Sequence, residues 1–126
     1  MKKLIDAATK VRKNAHAIYS NYKVGAAVLT DDDTIISGCN VESSSYGLTC
    51  CAERTALFSA VSNGHHKFKA LAVVTKDGGS PCGACRQVIW DLCDDIPIYI
   101  SNENGIVDET TSKELLPKAF DDSSLK

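Results

Sequence analysis

No stretch of the chain approaches the apolar length that a bilayer crossing needs, so no membrane is expected among its partners. The opening Met1-Lys2-Lys3-Leu4-Ile5-Asp6 sets an acid where the apolar core of a secretory signal would stand, and a reducing, cytoplasmic setting is expected. Charge of neither sign dominates: the formal net charge is −2 and the pI ≈ 5.9. A general attraction to phosphate backbones is therefore missing, as is any basic stretch interleaved with aromatics of the kind that takes up single strands. A nucleic-acid polymer is excluded as substrate on these grounds. No linker, repeat or low-complexity tract divides the sequence. With 126 residues, 44% of them hydrophobic, residues 1–126 are expected to form a single domain with its own core, acting on something small.

What is present alternates between helical and strand patterns. Leu4, Ala8, Val11, Ala15 and Ile18 recur at steps of four and three, so Lys3 to Tyr19 reads as an amphipathic helix. Val24 to Thr30 and Thr34 to Asn40 are β-rich and joined by Asp31-Asp32-Asp33, which predicts a hairpin. A helix is expected from Cys51 to Asn63 with Gly64 as its stop, and the apolar run Ala70 to Val74 reads as a strand buried on both faces. Then follow a helix from Gly83 to Cys93, a strand through Ile98-Tyr99-Ile100 and a turn at Asn102 to Gly105. Thr111-Ser112-Lys113-Glu114 matches a capping box that opens a last short helix ended by Pro117. Such alternation implies an α/β domain whose sheet is at least partly parallel and covered by helices on both sides.

Six cysteines, at 39, 50, 51, 82, 85 and 93, are an even number that in a secreted protein would suggest bridges. In a reducing compartment the pair Cys82-Gly83-Ala84-Cys85 points to metal or redox chemistry instead. Cys39, Cys50 and Cys93 read as small buried hydrophobes, and His16, His65 and His66 as solvated or lightly packed surface. Cys51, Cys82 and Cys85 supply three thiolate ligands for zinc, and Glu53 a carboxylate that is spare. Three ligands leave a coordination position for water, and a nearby carboxylate can move that water's proton. The alternatives are a closed structural zinc site, which needs a fourth ligand, and a redox dithiol, which leaves Cys51 and Glu53 unexplained. Because positions two apart on a regular helix face opposite ways, the reading requires Cys51 to lie at the cap or in the first turn.

Five ordered blocks carry a resemblance. Tyr19 to Ala27, Gly38 to Glu42, Cys51 to Ala56, Pro81 to Gln87 and Leu115 to Phe120 together are similar to the small, homotetrameric cytidine deaminases that hold zinc by three cysteines. The resemblance implies a three-layer α-β-α fold with a mixed five-stranded sheet. It implies a zinc-dependent hydrolase of pyrimidine salvage that converts cytidine and deoxycytidine to uridine and deoxyuridine with release of ammonia, with one Zn²⁺ per subunit. By matching position, Cys51, Cys82 and Cys85 resemble the zinc ligands and Glu53 the proton shuttle, serving a zinc-activated water that attacks C4 of the ring. Ala52 would offer its backbone amide to the ring carbonyl, and Asn40 and Glu42 resemble a ribose clamp. Arg54 would donate to the cysteine sulfurs and draw charge off them. Tyr46 and Phe120 match positions that reach into a neighbouring subunit's pocket.

Two positions depart from the family pattern, in which phenylalanine and proline usually stand where this chain has Tyr22 and Lys23. Tyr22 still offers a ring face to a pyrimidine, but its hydroxyl needs a partner. Lys23 either faces solvent or broadens the pocket mouth. A blasticidin-type deaminase acting on a modified cytosine nucleoside is the rival within the same chemistry, and a zinc-stabilised interaction module is the rival outside enzymes.

Overall fold

The computed structural model describes residues 1–125. Among the described residues, five strands form one sheet in the order β2-β1-β3-β4-β5. They are β1 (Gly25–Thr30), β2 (Ile35–Cys39), β3 (Phe68–Val74), β4 (Pro97–Asn102) and β5 (Gly105–Thr111). β3 and β4 run parallel and the other neighbours antiparallel, so the sheet is mixed. The parallel pair is connected through α3 (Gly83–Cys93), the crossover that such a pair requires.

Alternation along the central strands decides what covers each face. Ala27, Ala70, Ala72 and Val74 point to one side, where their small size lets α1 (Lys2–Arg12) lay Leu4 and Ala8 close against the sheet. Val28, Leu71, Val73, Ile98 and Ile100 point to the other, against Leu57 and Ala60 of α2 (Ala52–Ser62) and Ile89 and Cys93 of α3. Helices thus cover both faces, the three-layer α-β-α arrangement expected. Gly38 sets how closely α2 can approach, because a Cβ there would lie 2.4 Å from the backbone nitrogen of Ala56.

α3 has the predicted bounds, the hairpin falls within one residue of its expected limits, and Gly64 follows α2 with φ +90. The capping box also forms: Thr111 Oγ1 accepts from the Glu114 amide at 3.1 Å and opens α4 (Ser112–Leu115).

Three expectations are corrected. α1 ends at Arg12, not near Tyr19, because the following chain is drawn into backbone pairing: His16 donates to the Asn40 carbonyl at 2.9 Å and accepts from the Glu42 amide at 2.8 Å. His16 is therefore exposed on an extended segment rather than a helix, and Ile18 is 65% exposed. Cys93 is buried as expected, but Cys39 and Cys50 are only half-buried. β5 lacked a strand signal, since Asp108, Glu109, Thr110 and Thr111 show no apolar alternation. It forms as an edge strand, where one side needs no partner.

Gly38→Ala should lower conformational stability by about 1–3 kcal/mol in urea unfolding, the usual range for overpacking. Gly47→Ala, whose Cβ would meet nothing within 4 Å, serves as the control and should match the parent. A parental midpoint for Gly38→Ala would show that α2 is not seated by that contact.

Candidate active site

Cys51 and Cys82 occupy the same position on two helices. Each is the N-cap, with extended backbone (φ −70 ψ 156 for Cys51, φ −68 ψ 168 for Cys82), leading into α2 and α3 respectively. Cys85 follows in the first turn of α3 and is buried. The two helix starts converge, so their unpaired amides and positive dipole ends face one place and favour anions there. The three Sγ atoms lie within 4.8 Å of one another.

Sulfur spacing tests whether this cluster suits zinc. Tetrahedral zinc with bonds of about 2.3 Å to sulfur holds two thiolates about 3.8 Å apart. Cys51 Sγ and Cys82 Sγ are separated by 3.7 Å. The donor set therefore fits zinc in both chemistry and spacing. A hydrogen bond from the Cys85 thiol, with help from the Arg54 guanidinium, draws the Cys51 thiol down to about 5. The same hydrogen bond and burial raise Cys85 well above the usual thiol range, so a metal ion must displace its proton to bind there.

Glu53 lies in the first turn of α2, 4% exposed. Burial pushes its carboxyl up to about 7, and the neighbouring Cys51 thiolate adds to the shift. Arg54 Nη2 stands 3.4 Å from Cys51 Sγ and 3.4 Å from the Thr49 carbonyl. Its Nε is buried and has no partner among the described residues. Ala52, fully buried, is the first residue of α2, so its amide has no acceptor within the helix.

A cavity of about 280 Å³ opens over these groups, lined among others by Tyr22, Val24, Asn40, Glu42, Glu53 and Cys82. Asn40 braces one wall: its Oδ1 accepts from the Val24 amide and its Nδ2 donates to the Tyr22 carbonyl, both at 2.9 Å. Glu42 accepts from the Tyr19 and Ser20 amides at 2.9 and 3.0 Å and from the Ser20 hydroxyl. These bonds, the Ser20 hydroxyl foremost, hold its carboxyl below the usual range, so it is ionised at neutral pH. The Tyr22 hydroxyl has found its partner, donating to Asp77 Oδ1 at 2.6 Å. Gly79 closes on the same hydroxyl, which a Cβ at that position would meet at 2.9 Å. Lys23 is exposed and does not line the cavity.

One fold thus brings together Cys51, Cys82, Cys85, Glu53, Arg54, Ala52, Tyr22, Asn40 and Glu42. Tyr46, 76% exposed, lines an adjoining cavity that shares Ser20, Glu42 and Thr49 with the first. Phe120, 60% exposed, lies apart beside Trp90 and Asp121 and does not line this chain's own pocket. Ser20 and Asp77 were not legible in advance. Their parts are bonds to Glu42 and Tyr22, residues distant in sequence.

Comparison with known proteins gives a consistent answer. Residues 1–100 match the family model of the cytidine and deoxycytidylate deaminase zinc-binding region. A cytidine deaminase of Sporosarcina psychrophila is 52% identical, over 99% of this chain and 94% of that protein. The crystal structure of a cytidine deaminase from Burkholderia pseudomallei superposes with a TM-score of 0.91 at 49% identity, covering 94% of this chain and 98% of the other. A blasticidin-S deaminase of Bacillus cereus is more distant, 35% identical over 80% of this chain and 79% of its own length.

In metal-stripped protein the raised carboxyl of Glu53 has a thermodynamic consequence. Its proton is held more tightly in the folded chain (about 7) than at the ordinary value of 4.5. Its contribution is therefore fully present below about 4.5 and is lost as pH rises through about 7. Glu53→Gln stays neutral throughout, so its melting temperature should gain on that of the parent between about pH 5 and pH 8. A difference that does not change with pH would show that burial does not hold this proton.

Proposed function

The chain belongs to the cytidine and deoxycytidylate deaminase family, and on that premise we propose how its residues carry out the hydrolytic deamination of cytidine. The observation that carries the reading is a buried carboxyl group set beside three clustered sulfurs, the carboxyl and two of the sulfurs, those of Cys51 and Cys82, lining one cavity. Water adds at C4 of the cytosine ring and ammonia leaves, giving uridine; deoxycytidine would give deoxyuridine by the same chemistry. Cys51, Cys82 and Cys85 would hold one zinc per subunit, in keeping with the family and with the sulfur spacing. When bound, zinc supplies the Lewis acidity that makes water nucleophilic near neutral pH.

Glu53 moves the protons. Its carboxyl, raised toward neutrality by burial, takes the proton of the attacking water, passes it to N3 of the ring, and then assists protonation of the departing amine. Arg54, within reach of Cys51 Sγ, offsets the negative charge of three thiolates. The Ala52 amide at the start of α2 donates to the ring carbonyl, and the ring of Tyr22 forms a wall for the pyrimidine. Glu42, ionised, accepts a hydroxyl proton of the sugar, while Asn40 uses its remaining amide hydrogen beside it.

Residues 1–126 act as one domain on this reading, supported by a single sheet that carries apolar clusters on both faces. Tyr46 and Phe120 are exposed aromatics outside the main pocket, which supports their donation to a neighbour's site in a homotetramer. A monomer by light scattering at assay concentration would contradict that assembly. No described helix is long and apolar enough to cross a membrane; the cytoplasm is the setting we propose for a nucleoside enzyme of this family. The blasticidin-type alternative is disfavoured by the lower identity of that relative.

Glu53→Gln should retain zinc, because the three cysteines suffice to hold it. It should lose about 10⁴-fold in kcat on cytidine, the upper end for general acid–base catalysis, since one residue serves several transfers. Zinc content and ammonia release measured on one preparation check both halves. Loss of the metal, or near-parental turnover, would overturn the assignment.

A further inference from the structure

The three sulfurs differ in how they are held. Cys51 receives the Arg54 guanidinium and Cys85 is buried inside α3, whereas Cys82 is exposed at the end of an irregular segment leading from β3. The first part of that segment is self-contained, with Thr75 Oγ1 accepting from the Gly78 and Gly79 amides at 2.7 and 2.9 Å. The last part is not. Pro81 has no amide hydrogen to give, and it is buried, so its carbonyl needs a donor.

Arg86 supplies it. Nε donates to the Pro81 carbonyl at 2.7 Å, Nη2 to the Ser80 hydroxyl at 2.9 Å, and Nη1 to the Leu115 carbonyl at 3.1 Å. Its own amide donates to the Cys82 carbonyl at 2.9 Å in the first turn of α3. Among the described hydrogen bonds, those of Arg86 are the ones that reach the side chain of Ser80 and the carbonyl of Pro81. The planar fork suits the task, because three nitrogens can meet three fixed acceptors at once, which an ammonium on a flexible stem does not reproduce.

We propose that Arg86 is the positioning residue for Cys82, its guanidinium fastening the Ser80–Pro81 approach to α3 and α4 so that the exposed sulfur is set before metal arrives. The proposal rests on the reading of Cys82 as a zinc ligand. Arg86 touches neither substrate nor metal; it acts through the backbone that carries Cys82. Preorganisation of that kind slows ligand release, because a sulfur held in place rebinds before the metal departs.

Zinc release from the loaded protein into excess 4-(2-pyridylazo)resorcinol, followed by absorbance, tests the assignment. Arg86→Lys keeps the charge and loses the fork, and should release zinc about tenfold faster, the lower end for partners that orient metal ligands. Ser80→Ala removes one of the two arms to the ligand segment and leaves the bonds to the Pro81 and Leu115 carbonyls, so it should release faster than the parent but more slowly than Arg86→Lys. Trp90→Phe removes a different tie between α3 and the C-terminal segment, the 3.1 Å bond to Asp121, and should release at the parental rate. Parental release from Arg86→Lys overturns the proposal; if that variant does not fold, parental release from Ser80→Ala overturns it instead, because both arms are held to set the segment. Trp90→Phe releasing as fast as Arg86→Lys overturns it too, since general loosening of α3 would then be the cause. Cys82→Ser separates the two readings: if it holds zinc as firmly as the parent, the ligand assignment itself is wrong.

Discussion

Side chains two apart on a regular helix point away from each other, so a thiol at 51 and a carboxyl at 53 serve one centre only if the helix starts between them. It does. Cys51 keeps extended backbone as the N-cap while Glu53 already lies in the first turn. A start one turn earlier would carry one of the two groups to the far side of α2. Cys82 repeats the arrangement on α3, and the meeting of these two helix starts gathers three sulfurs, a buried carboxyl and a set of unpaired amides around one point. The height of α2 above the sheet is set in turn by Gly38, where the strand offers no side chain to the helix backbone.

The electrostatics follow from this placement. Burial, with the Cys51 thiolate adding to it, raises the Glu53 carboxyl toward neutrality, where a group can both take and give a proton without a large cost in either direction. The Cys51 thiolate stands nearby and Arg54 faces it, so the cluster concentrates negative charge with a cation at its edge. Glu42, ionised and tied to the Tyr19–Ser20 backbone, extends the same sign of charge to the other end of the cavity. A carboxylate at that end favours a ligand that presents hydroxyl groups there over one that presents an anion.

Local patterns made much of this legible from the sequence. The bounds of α3, the stop at Gly64, the capping box at Thr111 and the position of Cys51 all follow from groups within a few residues of one another. Features set by distant partners did not announce themselves. α1 looked longer because Ala15 and Ile18 continue its period, yet pairing of His16 with the chain around Val41 takes that segment out of the helix. β5 is polar and owes its existence to β4 beside it. Arg86 carried no signal, since two of its three side-chain acceptors are backbone carbonyls, which any residue type supplies. Asp77 likewise gains its part from Tyr22, a residue in a separate segment that closes over the same cavity.

The central claim is that three cysteines hold the metal and leave one position for water, with Glu53 beside the metal and not on it. X-ray absorption at the zinc edge of the loaded protein tests this most directly, because sulfur and light-atom neighbours scatter differently and lie at different distances. The account predicts three sulfurs at about 2.3 Å and one oxygen at about 2.0 Å, unchanged in Glu53→Gln. Four sulfurs in the parent, or a light-atom shell that disappears in the variant, would contradict it.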